Sequence, residues 1–175
     1  MKLRVAPRKS CERALRSVKE NIITTTPLFK KLNLGEHKKI LVLNSPESFE
    51  AEIAQLEGIK VLRKASPKQK LTFVLGFAIT QDDCNQVSSA IVDAIEADAI
   101  VWIAYPKGTS KKYKCEFNRD TGWTFLGNAG LEPVRQVAID EDWSALRFRK
   151  TEFIKTMTRS KKMAISEEGK RRVDS

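Results

Sequence analysis

The stretch Pro133-Val134-Arg135-Gln136-Val137-Ala138-Ile139-Asp140-Glu141-Asp142-Trp143-Ser144-Ala145-Leu146-Arg147-Phe148-Arg149 decides the fold. Two β-rich runs, Pro133 to Asp140 and Trp143 to Arg149, are joined only by the turn Asp140-Glu141-Asp142. A connection that short cannot carry a crossover, so the pair must be an antiparallel hairpin. Leu146 and Phe148 alternate with Arg147 and Arg149, which predicts a strand with one face on a core.

Upstream the pattern changes to strands alternating with helices. Ile40-Leu41-Val42-Leu43 is wholly apolar and ends at Asn44-Ser45-Pro46, as a strand buried on both faces does. Phe49, Ile53 and Leu56 then recur at helical spacing, and Ile59-Lys60-Val61-Leu62 predicts a second, shorter strand. Leu71 to Ile79 is a third apolar run. Thr80 caps the helix that follows, with Asp82 and Asp83 in its first turn and Cys84, Val87, Ile91 and Ile95 on its core stripe. Ala99 to Tyr105 is a fourth run, stopped by Pro106. Asp120 can either cap a helix bearing Trp123, Leu126 and Ala129 or face a ligand. Strand and helix in alternation, closed by a hairpin, predict an α/β sheet that is mostly parallel.

The ends of the chain have a different character. Net charge over the 175 residues is +10, and residues 1–39 alone carry eleven Lys/Arg against three Asp/Glu. Residues 40–106 are net −4, 107–120 net +3, 121–149 net −1 and 150–175 net +4. Cys11, Leu15, Val18 and Ile22 predict a basic amphipathic helix over 9–23, and Thr26-Pro27 opens a short second helix that Gly35 closes. The expected organisation is a basic helical arm over 1–26, a Rossmann-like α/β domain over 27–150, and a basic, partly disordered tail over 151–175. Such ends suit a nucleic acid or an acidic protein, or simply keep the chain solvated. No run approaches the roughly 20 apolar residues of a membrane span. Three scattered cysteines, Cys11, Cys84 and Cys115, form no disulfide framework, so a cytoplasmic setting is expected.

A parallel sheet ending in one antiparallel hairpin resembles the class I methyltransferase fold. The resemblance implies a glycine-rich loop after the first strand and an acid at the end of the second, which hold the methyl donor. This chain has Asn44-Ser45-Pro46-Glu47 at the first place and Arg63-Lys64 at the second, and one strand–helix unit is missing between Lys64 and Leu71. A shortened version of that fold is therefore expected, without methyl transfer. The segments Leu43 to Glu47, Trp102 to Gly108, Asn118 to Trp123, Val137 to Asp140 and Trp143 to Arg149 together resemble a family of short, mostly bacterial proteins of uncharacterised function. That resemblance spans roughly residues 27–150 and implies no reaction.

In open α/β sheets ligands bind beyond the carboxyl ends of the strands. There the chain places Asn44, Ser45 and Glu47, then Tyr105, Lys107, Thr109, Asn118, Arg119 and Asp120. Hydroxyls, amides and ammonium groups around Gly108 suit a phosphate or another oxyanion. The Walker spacing is absent, and no Cys/His cluster has metal-ligand spacing. Glu47 with Asp82 or Asp83 can form a carboxylate pair. Trp123 and Trp143 border these ends and either pack in the core or stack on a ligand. His37 precedes the first strand and so falls at the opposite end of the sheet. No cofactor is expected. The reading is a non-catalytic module recognising a small anionic ligand or a partner at the strand ends. Its alternatives are an enzyme acting on an anionic small molecule, and nucleic-acid binding through the basic termini.

Overall fold

The computed structural model describes residues 22–157 and 160–173. The basic helix expected over 9–23 lies outside the described residues apart from Ile22 and Ile23. Six strands form one sheet: β1 (Lys39–Leu43), β2 (Lys60–Leu62), β3 (Leu71–Phe77), β4 (Ile95–Pro106), β5 (Leu131–Ala138) and β6 (Trp143–Lys150). Their spatial order is β2-β1-β3-β4-β6-β5. The first four run parallel, β6 is antiparallel to β4, and β5 closes the hairpin against β6. The sheet is mixed α/β and mostly parallel, with its antiparallel strands at one end, the order that the resemblance implies.

Each face of the sheet buries its own cluster. On one face α3 (Gln81–Ala94) lays Val87 and Ile91 over Val74, Val101 and Ile103, joined by Trp123 and Leu126. On the other, α1 (Pro27–Lys31) and α2 (Glu47–Ile53) bring Phe29, Phe49 and Ile53 against Phe73, Phe77, Trp102 and Trp143. Ile40 to Leu43 are buried, as a strand covered on both faces requires. At Gly76 a Cβ would lie 2.2 Å from Val87 Cγ1, so glycine lets α3 seat directly on β3. Thr80 starts α3 with a capping box: its hydroxyl accepts from the Asp83 N–H while the Asp83 carboxylate accepts from the Thr80 N–H.

Between β2 and β3 there are only residues 63–70, with a turn at Ser66–Gln69 and no further strand or helix. This is the shortening that the sequence implies.

Several boundaries differ from expectation. α1 ends at Lys31, and Asn33 rather than Gly35 takes the first left-handed position (φ 61°) beyond it. Ile95 leaves the helical stripe and begins β4. Asp120 caps no helix. Its N–H bonds to the side-chain oxygen of Asn118 in a local turn, Gly122 follows at φ 94°, and α4 (Thr124–Asn128) starts only after Trp123.

The largest difference lies at the C-terminal end, where a partly disordered tail is expected over 151–175. After 3-10 turns at Thr151–Phe153 and Lys161–Met163, α5 (Glu167–Val173) docks beside β5. Ala164, Ser166 and Gly169 are buried. The reason is a carboxylate in the sheet. Glu132, 1% exposed on β5, accepts from the Ile165 and Ser166 N–H groups and from the Ser166 hydroxyl.

Candidate functional site

The carboxyl ends of β1, β3 and β4 face two neighbouring clefts, with Tyr113 between them. The first, about 500 Å³, is bounded by Asn44, Pro46 and Glu47 on one side and by Tyr113 and Trp143 on the other, over a floor of Phe77 and Ala78. The second, about 540 Å³, lies along the loop from Tyr105 to Asn118 and is rich in lysine: Lys107, Lys111, Lys112 and Lys114.

Asn44 ends β1 in the left-handed region (φ 54°). Its short polar side chain tolerates a backbone turn for which glycine is the usual choice. Asn44 and Glu47 are exposed at the rim of the first cleft. Ser45 is turned to a different task. Its hydroxyl donates to Glu50 Oε1 and accepts from Arg63 Nη1 at 2.8 Å, while Arg63 also grips both oxygens of Glu50. These bonds hold the Glu50 carboxyl below its ordinary range, Arg63 acting first and Ser45 second. The loop after β1 is thus tied to the end of β2 by an internal ion pair.

Trp143 lines the first cleft and carries an unsatisfied donor. It is 2% exposed, packed edge-on against Phe77 and tilted against Tyr113, with ring centroids 5.2 and 5.1 Å away. Its indole N–H is buried with no hydrogen-bond partner among the described residues. The other two tryptophans are satisfied: Trp102 donates to the Leu32 carbonyl at 2.8 Å and Trp123 to the Arg119 carbonyl at 3.0 Å. Buried indole N–H groups ordinarily find a partner. Position in the sequence marks Trp143 as bordering the strand ends, but nothing in the sequence separates its N–H from those of the other two.

The remaining predicted residues divide. Tyr105 is 4% exposed between Phe117 and Trp123, and its hydroxyl accepts from Gln136 Nε2. Burial pushes its phenol pKa up. It therefore forms an inner wall of the second cleft. Lys107 is spent on the hairpin turn: its ammonium donates to the Asp140 carbonyl, and its backbone N–H to the Asp142 carbonyl. Ser110 donates to Asp142 at 2.6 Å, pinning the same loop. Thr109, Asn118, Arg119 and Asp120 are exposed. Arg119 lies 3.9 Å from Asp120, at the edge of an ion pair. Asn44 and Glu47 thus share one cleft, Tyr105, Lys107 and Asn118 share the other, and Ser45 faces neither. Asp83 lines the first cleft, but its carboxyl serves the Thr80 cap. His37, bonded to Thr72 Oγ1 at 2.9 Å, sits at the far end of the sheet.

No family model and no curated protein matches the chain. Solved structures do. A SAM-dependent methyltransferase from Aquifex aeolicus superimposes with a TM-score of 0.51 at 10% identity, over 80% of this chain and 98% of that one. LepI in complex with SAM matches at 16% identity and a TM-score of 0.44, over 82% of this chain, which spans only 53% of LepI. A TehB-like SAM-dependent methyltransferase from Corynebacterium glutamicum matches at 10% identity and a TM-score of 0.43, covering 80% of this chain and 95% of that one. At such identities the first likeness establishes the methyltransferase-like fold.

Proposed function

We propose that this methyltransferase-like scaffold is a binding module without methyl transfer of its own, holding a small anionic ligand at the strand carboxyl ends. The observation that carries the reading is the unpartnered indole N–H of Trp143 beside the first cleft. A buried donor without an acceptor costs about 1–3 kcal/mol, and a ligand oxygen that reached it would recover that. Asn44 adds a side-chain amide at the same rim, and the body of the ligand lies over Phe77 and Tyr113. Lys111, Lys112 and Lys114 line the adjoining cleft and supply the positive field that favours an anion. Lys112 lies over the ring of Tyr113, 5.3 Å from its centroid, so charge and aromatic surface meet on one side chain.

Two features argue against a methyl donor in this place. The corner that would receive it is crossed by the Ser45–Glu50–Arg63 bonds. Arg63 also brings a cation to the end of β2, where the fold's donor-binding members use an acid.

Nuclear magnetic resonance of the three indole N–H groups provides the test, with inorganic phosphate and S-adenosylmethionine as probes. Phosphate is expected to move the Trp143 indole signal saturably and to leave those of Trp102 and Trp123 in place. S-adenosylmethionine is expected to move none of them and to give no calorimetric heat. Micromolar S-adenosylmethionine binding, or a Trp143 signal indifferent to anions, overturns the reading.

A further inference from the structure

The arginines of the hairpin pose an electrostatic problem that the strand-end clefts do not solve. Arg147 and Arg149 leave β6 on the same face as Trp143 and Ala145, because alternate residues share a face. Across the hairpin, Arg147 is in direct register with Arg135 of β5. Like charges directly opposed in an antiparallel pair are destabilising. One carboxylate answers them: Asp98 takes Arg149 in a two-pronged pair, both bonds 2.7 Å. Among the described residues Arg135 reaches only Asn33 Oδ1, at the outer limit of 3.5 Å. Arg147 is half-buried, and its Nε is shielded from solvent with no partner among the described residues. Burial, then the charges of Arg149 and Arg135, make its protonated form harder to hold than an ordinary arginine's.

These groups border a cavity of about 420 Å³, with Lys155 at its rim and aliphatic walls from Val134, Ile154 and Met157. That volume falls within the range of small-molecule sites. Two guanidinium groups side by side present donor forks that match a phosphate, and charge-assisted bonds of this kind are about twice as strong as neutral ones. A bound phosphate would satisfy the Arg147 Nε and cancel the Arg135–Arg147 repulsion together. The walls suit a compact, non-aromatic body. Among the described residues no aromatic ring lines the cavity, so base stacking, the sequence-tolerant grip on single-stranded nucleic acid, finds no platform in them.

We propose that the Arg135–Arg147 pocket is a second anion site, one that binds the phosphate of a small aliphatic phosphomonoester. It is separate from the strand-end cleft, since Arg147 lies four residues along β6 from Trp143, roughly 13 Å.

The test follows the arginine Nε–H signals of the full chain during titration with inorganic phosphate and, separately, glycerol 3-phosphate. Saturable movement of the Arg147 signal by both, with the ester binding several-fold more tightly, supports the pocket and its aliphatic walls. Arg135→Gln changes an exposed residue and leaves the core intact; it is expected to weaken the ester at least fivefold. Arg135→Gln with Arg147→Gln is expected to abolish binding. A stationary Arg147 signal, or unchanged affinity in Arg135→Gln, overturns the site. Tighter binding of free phosphate than of the ester overturns the phosphomonoester assignment, and so does tighter binding of a single-stranded oligonucleotide.

Discussion

Glu132→Ala isolates what holds the C-terminal segment against the sheet. In the folded chain the Glu132 carboxylate accepts from Ser166 N at 2.6 Å, Ile165 N at 2.9 Å and Ser166 Oγ at 2.7 Å. The Ser166 hydroxyl in turn accepts from the Gly169 N–H at 2.9 Å, so one carboxylate orders the whole entry into α5. Removing it strands two backbone donors in a place largely closed to water, while the Ser166 hydroxyl keeps Thr151 Oγ1 at 3.1 Å. At about 1–3 kcal/mol each, the penalty for staying docked comes to roughly 2–6 kcal/mol. A segment of this length will not bear that, and the cheaper response is local release into water. The expected result is therefore loss of amide-exchange protection at Ile165, Ser166 and Gly169 by about a hundredfold or more, since each 1.4 kcal/mol is tenfold. Amides of β3, β4 and β6 should keep their protection. Gly169→Ala gives an independent arm, because its Cβ would lie 2.3 Å from Glu132 Oε1 and 2.8 Å from Ser166 Oγ. Exchange at 164–169 within twofold of wild type in Glu132→Ala would show that apolar contacts hold the segment and would refute the reasoning.

Two further outcomes follow from titrating groups. The Asp83 carboxyl sits below its ordinary range because it accepts from the Thr80 backbone and side chain and then from Ile79. A depressed folded-state pKa contributes stability above the ordinary carboxylate range that is lost as pH falls through the depressed value. Asp83→Asn should therefore be about 1 kcal/mol less stable than wild type near neutrality, with the gap closing below pH 4, as urea midpoints across pH will reveal. A pH-independent gap would discount the charge. The Cys84 thiol is raised by burial to about 11 from 9.0, which cuts its thiolate about a hundredfold. At pH 8 it should resist alkylation in the folded chain and react promptly in urea, with mass mapping as the readout. Rapid labelling without denaturant would contradict its buried place on α3.

Much of the fold could be read from the residues because its signals are local. Ile40 to Leu43 can only be a strand covered on both faces, and Asp140-Glu141-Asp142 is too short for anything but a hairpin. Thr80 with Asp83 three residues later is a capping box in sequence as well as in space. The errors arose where the deciding partner is distant or belongs to the backbone. Glu132 falls just before the run that predicts the strand and carries no signal of its own, since its partners are N–H groups 33 and 34 positions onward that leave no mark in side-chain chemistry. Asp120 satisfies the composition of a helix cap, but the Asn118 side chain captures its N–H first and Gly122 turns the chain away.

The candidate site shows the same division more sharply. Sequence position places Asn44, Glu47, Tyr105 and Lys107 at the strand ends, yet free donors and spent ones are indistinguishable there. Lys107 and Thr109 read alike as anion ligands, although the Lys107 ammonium is committed to the Asp140 carbonyl. Among three tryptophans, only the fold reveals that Leu32 and Arg119 offer carbonyls to two and leave Trp143 without one. Arg63 gives the most instructive case. As a residue it is merely the wrong charge for a donor-binding acid. In place, it bonds Ser45 and Glu50 together and turns the loop after β1 into a braced corner. The left-handed turn survives through Asn44, so the backbone path persists while the space beside it is crossed by side chains. Under the proposed reading, opening this corner to a methyl donor requires changes at Ser45, Glu50 and Arg63 together, because removing Arg63 alone leaves Glu50 without its cation at the mouth of the loop.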